Sequence, residues 1–491
     1  MGKREDEADF VIVGTGAGGA TAARVLAAAG HEVVMVEEGE RLRPEDRPAA
    51  LLDAMRLAVR DMCMQATESR VPMPLLQGRA VGGSTAINSG IIWRLPGDVR
   101  DDWRERFGLE ALVADGRLDE VFDQIEDELE IHATEPAILG RNNGLMAEGA
   151  AAMGLPGRAI HRNTRGCKGN ARCLQGCPEG ARQSMDVSYV PRAIEDGARL
   201  HTGCRVERVV MRKGRAVAVE GKGFSFRARR AVIVAAGVIH TPVLLHASGV
   251  RHASLGRRFQ AHPGVAMVGR FEEPVQMGFG AAQGYEIPQR EKGFKLEALA
   301  LPPEMLAARL PGAGADWQRR LADLGSYAQW CGQIRMKAHG RIRRVFGKPF
   351  VTYEPTHEDL LKAREVSVAL GRLMFAAGAV EIFPGVAGFD EIITDPKRLD
   401  ALAERPVSRA DFHLVASHLF GTACASSDPK LGVVDPSLAV RGVDGLYVMD
   451  ASVFPTNLGV NPQHSIMGVV WQAAEDLAMG MDVSGTHRRT A

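Results

Sequence analysis

The chain lacks long apolar runs, an excess of charge of either sign, and a rich complement of cysteines. No apolar stretch approaches the roughly 18–20 residues that a helix needs to cross a bilayer, so no membrane span is predicted. Lys plus Arg and Asp plus Glu number 60 each and no basic stripe stands out, which argues against nucleic acid as a partner. Seven cysteines in 491 residues, after a charged start without an apolar signal segment, argue against a disulfide scaffold. We expect a cytoplasmic protein.

A glycine-rich turn between two apolar segments is the first informative feature. Residues 10–13 (FVIV) are typical of a buried strand, a helical Ala-rich segment follows the turn, and a second strand, VVMVE, ends at Glu37. Gly14, Gly16 and Gly19 fit the dinucleotide fingerprint G-x-G-x-x-G. They predict, respectively, a tight turn, a close approach of the backbone to a pyrophosphate, and close helix–strand packing. The helix N-terminus would then face the diphosphate.

Glu37 lies 23 residues after Gly14, at the end of the second strand. A carboxylate there can accept hydrogen bonds from ribose hydroxyls and disfavours a 2′-phosphate. The strand–turn–helix–strand context therefore favours a dinucleotide site over a merely structural glycine turn. It does not distinguish FAD from NAD, although a position so near the N-terminus favours FAD.

Four further segments complete the pattern. Small residues in 78–90 (GRAVGGSTAINSG) allow the backbone to pass close to a flat ligand. Residues 231–250 (AVIVAAGVIHTPVLLHASGV) indicate a strand, a glycine turn and a helix, and LGRRFQAHPG follows at 255–264. The last segment, 418–479, begins HLFGTACAS and contains MDASVFPTNLGVNPQHS. With the fingerprint, these segments resemble the glucose–methanol–choline (GMC) oxidoreductases, particularly their long-chain-alcohol and cholesterol-oxidising branches.

The resemblance implies an α/β fold with a Rossmann-like FAD-binding domain, discontinuous in sequence, and a second, α+β substrate-binding domain. Some relatives attach FAD covalently through a histidine at the position that is Ile87 here, so non-covalent FAD is expected. The residues implied to hold FAD are Gly14, Gly16, Gly19, Glu37, Arg79, Gly82, Gly83, Ser84, Asn88, Val206, Asp450, Ala451, Asn461 and Pro462.

Alcohol oxidation needs a base for the hydroxyl proton and a partner for the substrate oxygen, while a hydride leaves carbon for flavin N5. Histidine suits the base because its ordinary pKa near 6.5 leaves it neutral at physiological pH. The resemblance implies that the base is His418, in HLFGT, and that the second residue is Asn461. The alternative for His418 is a packed histidine, and that structural role is expected for His262 and His413.

The stretch 459–472 (GVNPQHSIMGVVWQ) places Asn461 and His464 three positions apart at a predicted helix entrance. Asn461 is expected to be the N-cap, with Pro462 as the first helical residue. A helix N-terminus aimed at a flavin would also favour the negative charge that develops on reduction. Asn461 is therefore expected to face the substrate, and His464 is the less favoured alternative.

Three cysteines, Cys167, Cys173 and Cys177, follow the spacing C-x5-C-x3-C-P. The last part is similar to the end of a ferredoxin run, and Cys204 lies 27 residues further on. The spacing between the first two cysteines does not fit a ferredoxin. A structural packing role is expected, and an iron–sulfur or zinc site is the alternative.

The length of 491 residues exceeds what one compact core usually holds, so two domains are expected. The FAD-binding domain is predicted to comprise 1–100, 195–265 and 411–491. The substrate-binding domain is predicted to comprise 101–194 and 266–410.

Within the substrate-binding part, apolar spacing predicts a docking helix in 118–131 and another buried-face helix in 359–377. Residues 485–491 are expected to form a loose tail. No Lys/Arg cluster indicates an anionic substrate, so a hydrophobic or cyclic alcohol is expected. Residues suggested as its apolar lining are Met277, Phe279, Tyr285, Phe294 and Leu296.

The leading functional hypothesis is an FAD-dependent alcohol dehydrogenase or oxidase. A flavin-dependent ketone desaturase and a redox-silent lyase on the same fold are the alternatives, and a flavoprotein that only binds is the third. The sequence leaves the electron acceptor open among oxygen, a quinone and a redox protein.

Overall fold

The computed structural model of the protein describes residues 3–480, and the predicted tail at 485–491 lies outside them. The strands of this part of the chain are β1 (Arg4–Val13), β2 (Val33–Val36), β3 (Ile131–Ala133), β4 (Arg158–Ala159), β5 (His161–Asn163), β6 (Arg199–His201), β7 (Arg208–Arg212), β8 (Arg215–Gly221), β9 (Phe224–Val234), β10 (Arg257–Arg270), β11 (Tyr285–Gln289), β12 (Phe294–Ala298), β13 (Tyr327–Ile334), β14 (Gly340–Val345), β15 (Lys348–Thr352), β16 (Glu381–Phe383), β17 (Val415–Phe420) and β18 (Leu446–Val448). Its α-helices are α1 (Ala17–Ala28), α2 (Leu51–Ala58), α3 (Gly97–Phe107), α4 (Arg117–Glu128), α5 (Arg141–Ala152), α6 (Tyr189–Glu195), α7 (Gly237–Ala247), α8 (Pro303–Ala307), α9 (Gly314–Ala322), α10 (His357–Ala376), α11 (Arg398–Glu404) and α12 (Gln463–Met479).

The first sheet contains the glycine fingerprint. Its strands follow the order β6-β2-β1-β9-β8-β7, with β18 also paired to β9. Strand β1 pairs in parallel with β2 and with β9, and α1 connects β1 to β2. The apolar runs Phe10–Val13 and Val33–Val36 are buried where α1 packs against β1 and β2, and α12 packs in turn on α1. This sheet has the predicted Rossmann-like βαβ arrangement.

The second sheet is mostly antiparallel and follows the order β15-β14-β10-β13-β12-β11-β4. Strand β10 is its centre, and β16 and β17 also pair with it. The start of β10 pairs with β14, residues 260–264 lie beside β17 with His262 opposite His418, and the later part pairs with β13. The predicted base therefore lies on a strand of this sheet, next to the strand that carries His262.

Two predicted helices are confirmed. Helix α4 buries Leu118, Val121, Phe122 and Ile125 and packs against α12. Helix α10 begins at a Thr356 capping box and buries one face against β10, β13 and α5. Within residues 3–480, no helix is both long enough and apolar enough to cross a bilayer.

Candidate active site

A cavity of about 1080 Å³ lies where the two sheets meet. On one side it reaches the carboxyl ends of β1 and β2, at Val13 and Val36, where open parallel sheets usually bind ligands. On the other side it reaches β10, β13 and β17 of the antiparallel sheet. A cofactor at the first sheet and a substrate at the second would therefore share one continuous space.

The three fingerprint glycines have different surroundings. Gly14 has a φ of +97°, and a Cβ there would lie 2.3 Å from the carbonyl oxygen of Ala235. A Cβ on Gly19 would lie 2.0 Å from the carbonyl oxygen of Gly14. Gly16 differs, because the nearest atom to its Cβ would be the Cα of Gly83, at 4.0 Å. Two glycines thus permit backbone packing, and the third keeps its surface free of a side chain where it lines the cavity.

The surface formed by Gly16 and Gly83 fits a diphosphate, and the two backbones lie so close that a Cβ on Gly83 would be 3.0 Å from the Cα of Gly16. Both residues line the cavity, and Gly83 has a φ of +53°. Helix α1 begins directly after Gly16, with no acidic residue in its first turn and no side-chain cap. The first N–H groups of a helix have no partner within the helix, and they favour an anion. These features match the cofactor that the fingerprint predicts.

Glu37 holds the fingerprint turn together. Its carboxylate accepts hydrogen bonds from the Thr15 N–H at 3.0 Å, the Thr15 hydroxyl at 2.7 Å and the Gly39 N–H at 2.9 Å. The N–H of Gly82 donates to the same hydroxyl at 3.1 Å, which links the turn to the 78–90 segment. Burial raises the pKa of Glu37, although these hydrogen bonds oppose the shift. The side chain lines the cavity, as predicted for a ribose contact.

Three of the residues predicted to contact FAD lie outside the cavity lining. Gly19 lies in the first turn of α1, where a Cβ would meet the carbonyl of Gly14. Arg79 is exposed, with its guanidinium 3.6 Å from Glu38. Gly82 is a buried turn residue with a φ of +92°, packed against Asp186. The predicted residues that line the cavity are Gly14, Gly16, Glu37, Gly83, Ser84, Asn88, Val206, Asp450, Ala451, Asn461 and Pro462.

Asp450 lines the cavity and also fixes two local turns. Its carboxylate accepts from the N–H of Gly237, the first residue of α7, at 2.9 Å and from the hydroxyl of Thr241, one turn later, at 2.6 Å. The N–H of Ser452 donates to its other oxygen at 2.8 Å. Burial raises the pKa of Asp450, and these donors oppose the shift. The carboxylate therefore holds the start of α7 against the 450–453 turn.

His418 and Asn461 come together in the cavity. His418 lies on β17, and its Nε2 is 3.4 Å from the Nδ2 of Asn461. Its Nδ1 is 3.2 Å from the Nδ1 of His262 on β10. Burial, reinforced by the charge of Lys295, lowers the pKa of His418 to about 3. His418 is therefore neutral at physiological pH, as a general base must be.

His262 lines the same cavity, although the sequence indicated only a structural role. Burial, with His418 and Lys295 as the next causes, lowers the pKa of His262 well below its ordinary value, so both rings are neutral. Two neutral rings that meet through Nδ1 atoms need one donor and one acceptor. When His418 donates from Nδ1, its Nε2 carries the free lone pair toward Asn461.

The predicted N-cap role of Asn461 is wrong. Helix α12 begins at Gln463, and Pro462 occupies the cap position without a side-chain hydrogen bond. The Asn461 amide is engaged elsewhere, because its Oδ1 accepts from the Nζ of Lys295 at 2.5 Å. Asn461 therefore faces His418 through its Nδ2 rather than closing the helix.

His464 points away from the cavity and does not line it. It is the second residue of α12, and its ring packs 4.5 Å from the ring of Phe122 on α4. Burial, followed by the charge of Arg94, lowers the pKa of His464 to about 3. The less favoured alternative for a substrate-facing residue thus lies in the contact between two helices.

Lys295 and its carboxylates were missed by sequence reasoning. Lys295 on β12 is completely buried, its Nζ lies 2.9 Å from Glu286, and it also contacts Glu297. The segment FKLEA alternates apolar and polar residues, which is typical of a strand with one face in solvent. Here the polar face is buried behind the cavity lining, where Lys295 contacts Asn461 and Glu297 contacts two lining glutamines, so the alternation alone could not reveal the site.

None of the five residues suggested as the substrate lining faces the cavity. Leu296 lies on the opposite face of β12 from Lys295, toward Val366 of α10. Met277 and Phe294 are likewise buried elsewhere, Tyr285 is half-buried, and Phe279 is 55% exposed. The lining beyond His418 includes instead Val265, Leu299, Ala300, Leu301 and Met305, the side-chain amides of Gln283, Gln329 and Gln333, and Arg309.

The cysteine-rich segment packs beside the cofactor loop. The guanidinium of Arg162 is 3.9 Å from the sulfur of Cys167 and 3.6 Å from that of Cys173. Arg162 also donates to the carbonyl of Ser89 at 2.9 Å, which connects this segment to the 78–90 loop. Among residues 3–480, no cluster of three or more His, Cys, Asp or Glu side chains has the arrangement of a metal site.

Comparisons with known proteins match most of the chain to one family. The N-terminal and C-terminal profiles of the family described as GMC oxidoreductase match residues 8–264 and 332–469. An uncharacterized GMC-type oxidoreductase of Mycobacterium tuberculosis is 36% identical over 95% of this chain and 75% of its own. A long-chain-alcohol oxidase of Arabidopsis thaliana is 26% identical over 95% of this chain and 68% of its own. The crystal structure of pyridoxine 4-oxidase from Mesorbium loti shares the fold, with a TM-score of 0.72 at 18% identity, over 95% of this chain and 98% of that one.

Proposed function

The chain belongs to the GMC oxidoreductase family of FAD-dependent enzymes, and from this premise we propose which reaction it catalyses and how. It oxidises a CH–OH group of a small-molecule alcohol to the carbonyl. His418 acts as the general base, and Asn461 orients the substrate oxygen. The single observation that carries the proposal is the facing pair of His418 Nε2 and Asn461 Nδ2, 3.4 Å apart in the cavity that the fingerprint turn borders.

The bound FAD supplies the acceptor for the hydride that leaves the carbinol carbon. Gly16, Gly83 and the first turn of α1 would hold its diphosphate, and Glu37 would hold a ribose. The position where some relatives carry a histidine for covalent attachment is Ile87, which lines the cavity and offers no nucleophile. We therefore propose non-covalent FAD.

Each polar group of the pair has one task in the reaction. The Nε2 of His418 accepts the hydroxyl proton while His262 accepts from its Nδ1. The Nδ2 of Asn461 donates a hydrogen bond to the same substrate oxygen, which becomes more basic as the proton leaves. With the base neutral and both groups fixed by neighbours, little rearrangement precedes proton transfer.

The substrate class follows from the wall of the cavity beyond this pair. Leu299, Leu301 and Met305 form an apolar side, so a hydrophobic alcohol fits better than a sugar. The similarity to a long-chain-alcohol oxidase supports this choice. That relative is an oxidase, which favours oxygen as the electron acceptor over a quinone or a redox protein.

The domain division is part of the proposal. We assign 1–100, 195–265 and 411–491 to FAD binding, and 101–194 and 266–410 to substrate binding. The location of the fingerprint in the first sheet and of Lys295 in the second sheet supports this division.

Anaerobic titration with a panel of aliphatic, aryl, steroid and sugar alcohols tests the reaction. We expect hydrophobic alcohols to bleach the flavin and the H418A variant to reduce about 10²- to 10⁴-fold more slowly while retaining FAD. An unchanged rate in H418A would refute the base assignment. Bleaching by ketones alone would favour a desaturase, and turnover without bleaching would favour a lyase. A yellow supernatant after acid precipitation checks for non-covalent FAD, and a coloured pellet would contradict it.

A further inference from the structure

We infer that Lys295 is a positioning residue that fixes the amide of Asn461 so that its N–H group faces His418 and the substrate oxygen. This inference rests on the proposed function, because it assigns a cause to the orientation of Asn461. It concerns a lysine that touches neither the predicted base nor the reacting oxygen and acts through the amide.

The contact itself determines which way the amide faces. The Nζ of Lys295 lies 2.5 Å from Oδ1 of Asn461. An ammonium group has only donors, so it binds the amide oxygen and not the amide nitrogen. The Nδ2 of Asn461 is thereby directed to the other side, where the Nε2 of His418 lies 3.4 Å away. In the flipped amide, an oxygen lone pair would face both His418 and the substrate oxygen.

Lys295 is held from the opposite side by two carboxylates. Glu286 on β11 lies 2.9 Å from its Nζ, and Glu297 on β12 also contacts it. Although burial opposes the charged form, these two carboxylates raise the pKa of Lys295 above its ordinary value. Lys295 therefore remains an ammonium and keeps its donors.

The carboxylates are themselves fixed by further donors. Glu286 accepts from the indole N–H of Trp93 at 3.0 Å and from Arg158 at 2.9 Å. The Oε2 of Glu297 accepts from Gln283 at 2.9 Å and from Gln333 at 2.8 Å, and both glutamines line the cavity.

Gln283 and Gln333 on the cavity wall donate to Glu297, and Glu297 contacts the ammonium group of Lys295. This chain of contacts restricts the position of Lys295. A buried charge cluster usually adds little net stability compared with apolar residues of the same volume. Orientation of Asn461 is a role that apolar residues could not replace.

A double-mutant cycle on the anaerobic rate of flavin reduction tests the inference. The K295M, N461A and K295M/N461A variants are compared with the wild-type holoenzyme, using the best alcohol from the substrate panel. We expect K295M to reduce about 10- to 100-fold more slowly. The double variant should be no slower than N461A, because Lys295 has no route to the substrate once the amide is gone. The inference would be overturned if the fold-losses of K295M and N461A multiplied in the double variant. A K295M rate equal to that of wild type would also overturn it.

A donor-retaining variant separates positioning from folding. K295Q keeps an N–H that can donate to Asn461 without the charge, so it should reduce flavin faster than K295M. If the K295M variant does not fold or does not retain FAD, the rate of flavin reduction by K295Q is compared with that of wild type instead. Equal impairment of two folded variants, K295M and K295Q, would contradict amide positioning.

K337M is the matched control. It replaces an exposed lysine that pairs with Glu358 and does not line the cavity, so its rate should lie near that of wild type. A loss equal to that of K295M would mean that removal of a lysine charge in general, and not the lost contact with Asn461, slows the reaction. A wild-type rate in N461A would instead refute the proposed role of Asn461, and the cycle would distinguish that result from a failure of Lys295 alone.

Discussion

The Nδ1 atoms of His262 and His418 lie 3.2 Å apart, on the neighbouring antiparallel strands β10 and β17. One ring must donate and the other must accept, and both are neutral because burial lowers the pKa of each. If the Nδ1 of His262 accepts a hydrogen bond from the Nδ1–H of His418, the lone pair of His418 lies on Nε2 and faces Asn461. This pairing gives the base one tautomer, as an orienting carboxylate does in other enzymes.

The first prediction concerns the partner of the base. In H262L, His418 loses the acceptor for its Nδ1–H, and we expect flavin reduction by alcohol to fall about 10- to 100-fold with FAD still bound. H262Q is the matched control, because its side-chain oxygen can accept the same hydrogen bond and should restore part of the rate. Stopped-flow absorbance measures both. A wild-type rate in H262L would show that His262 only fills space.

The second prediction separates the two polar residues of the GVNPQHS segment. H464L changes a side chain packed on Phe122, outside the cavity, so the rate of flavin reduction should stay within about twofold of wild type. N461A removes the donor to the substrate oxygen and should slow reduction about 10²- to 10³-fold. The same anaerobic stopped-flow assay compares them. The reverse order of effects would transfer the orienting role to His464.

The third prediction contrasts two glycines of one fingerprint. In G16A the added Cβ lies 4.0 Å from the nearest atom, so the chain should fold normally but bind FAD more weakly, because the methyl group covers the backbone that the diphosphate would approach. In G19A the Cβ lies 2.0 Å from a carbonyl oxygen, and we expect a loss of roughly 1–3 kcal/mol of stability. Apoprotein melting and FAD titration measure the two effects. Equal FAD affinity in G16A and wild type would place the diphosphate elsewhere.

The parts of the fold that sequence reasoning predicted are those specified by local patterns. Two apolar runs around Gly14, Gly16 and Gly19 predict a βαβ unit, because few other arrangements satisfy that spacing. The approach of His418 to Asn461 was available only through the family resemblance. No local pattern reports that β17 lies beside β10, since their pairing joins segments more than a hundred residues apart.

Side-chain environments were predicted less well than backbone elements. Asn461 before Pro462 has the pattern of a cap, but the contact with Lys295 outweighs it. Lys295 and Glu297 alternate with apolar residues as on a solvent-facing strand, and only the packing of the second sheet reveals that they are buried. Tertiary contacts decide such cases, and a single sequence does not contain them.

The last prediction concerns stability at low pH. The pKa of His464 is lowered to about 3 in the folded chain, compared with about 6.5 when unfolded. Between these values the unfolded chain binds the extra proton, so the stability that His464 contributes is present above about pH 6.5 and is lost as the pH falls toward 3. At pH 5 this loss is about 2 kcal/mol for this one group.

H464L removes the titrating ring but keeps an apolar side chain against Phe122. Its free energy of unfolding should therefore fall less than that of wild type between pH 7.5 and pH 5. His418, His262 and His240 also have lowered pKa values, so part of the acid sensitivity remains in the variant. Urea unfolding at the two pH values measures the difference. Parallel losses in both proteins would mean that His464 is protonated as readily in the folded chain as in the unfolded one, and that its contact with Phe122 opens to solvent.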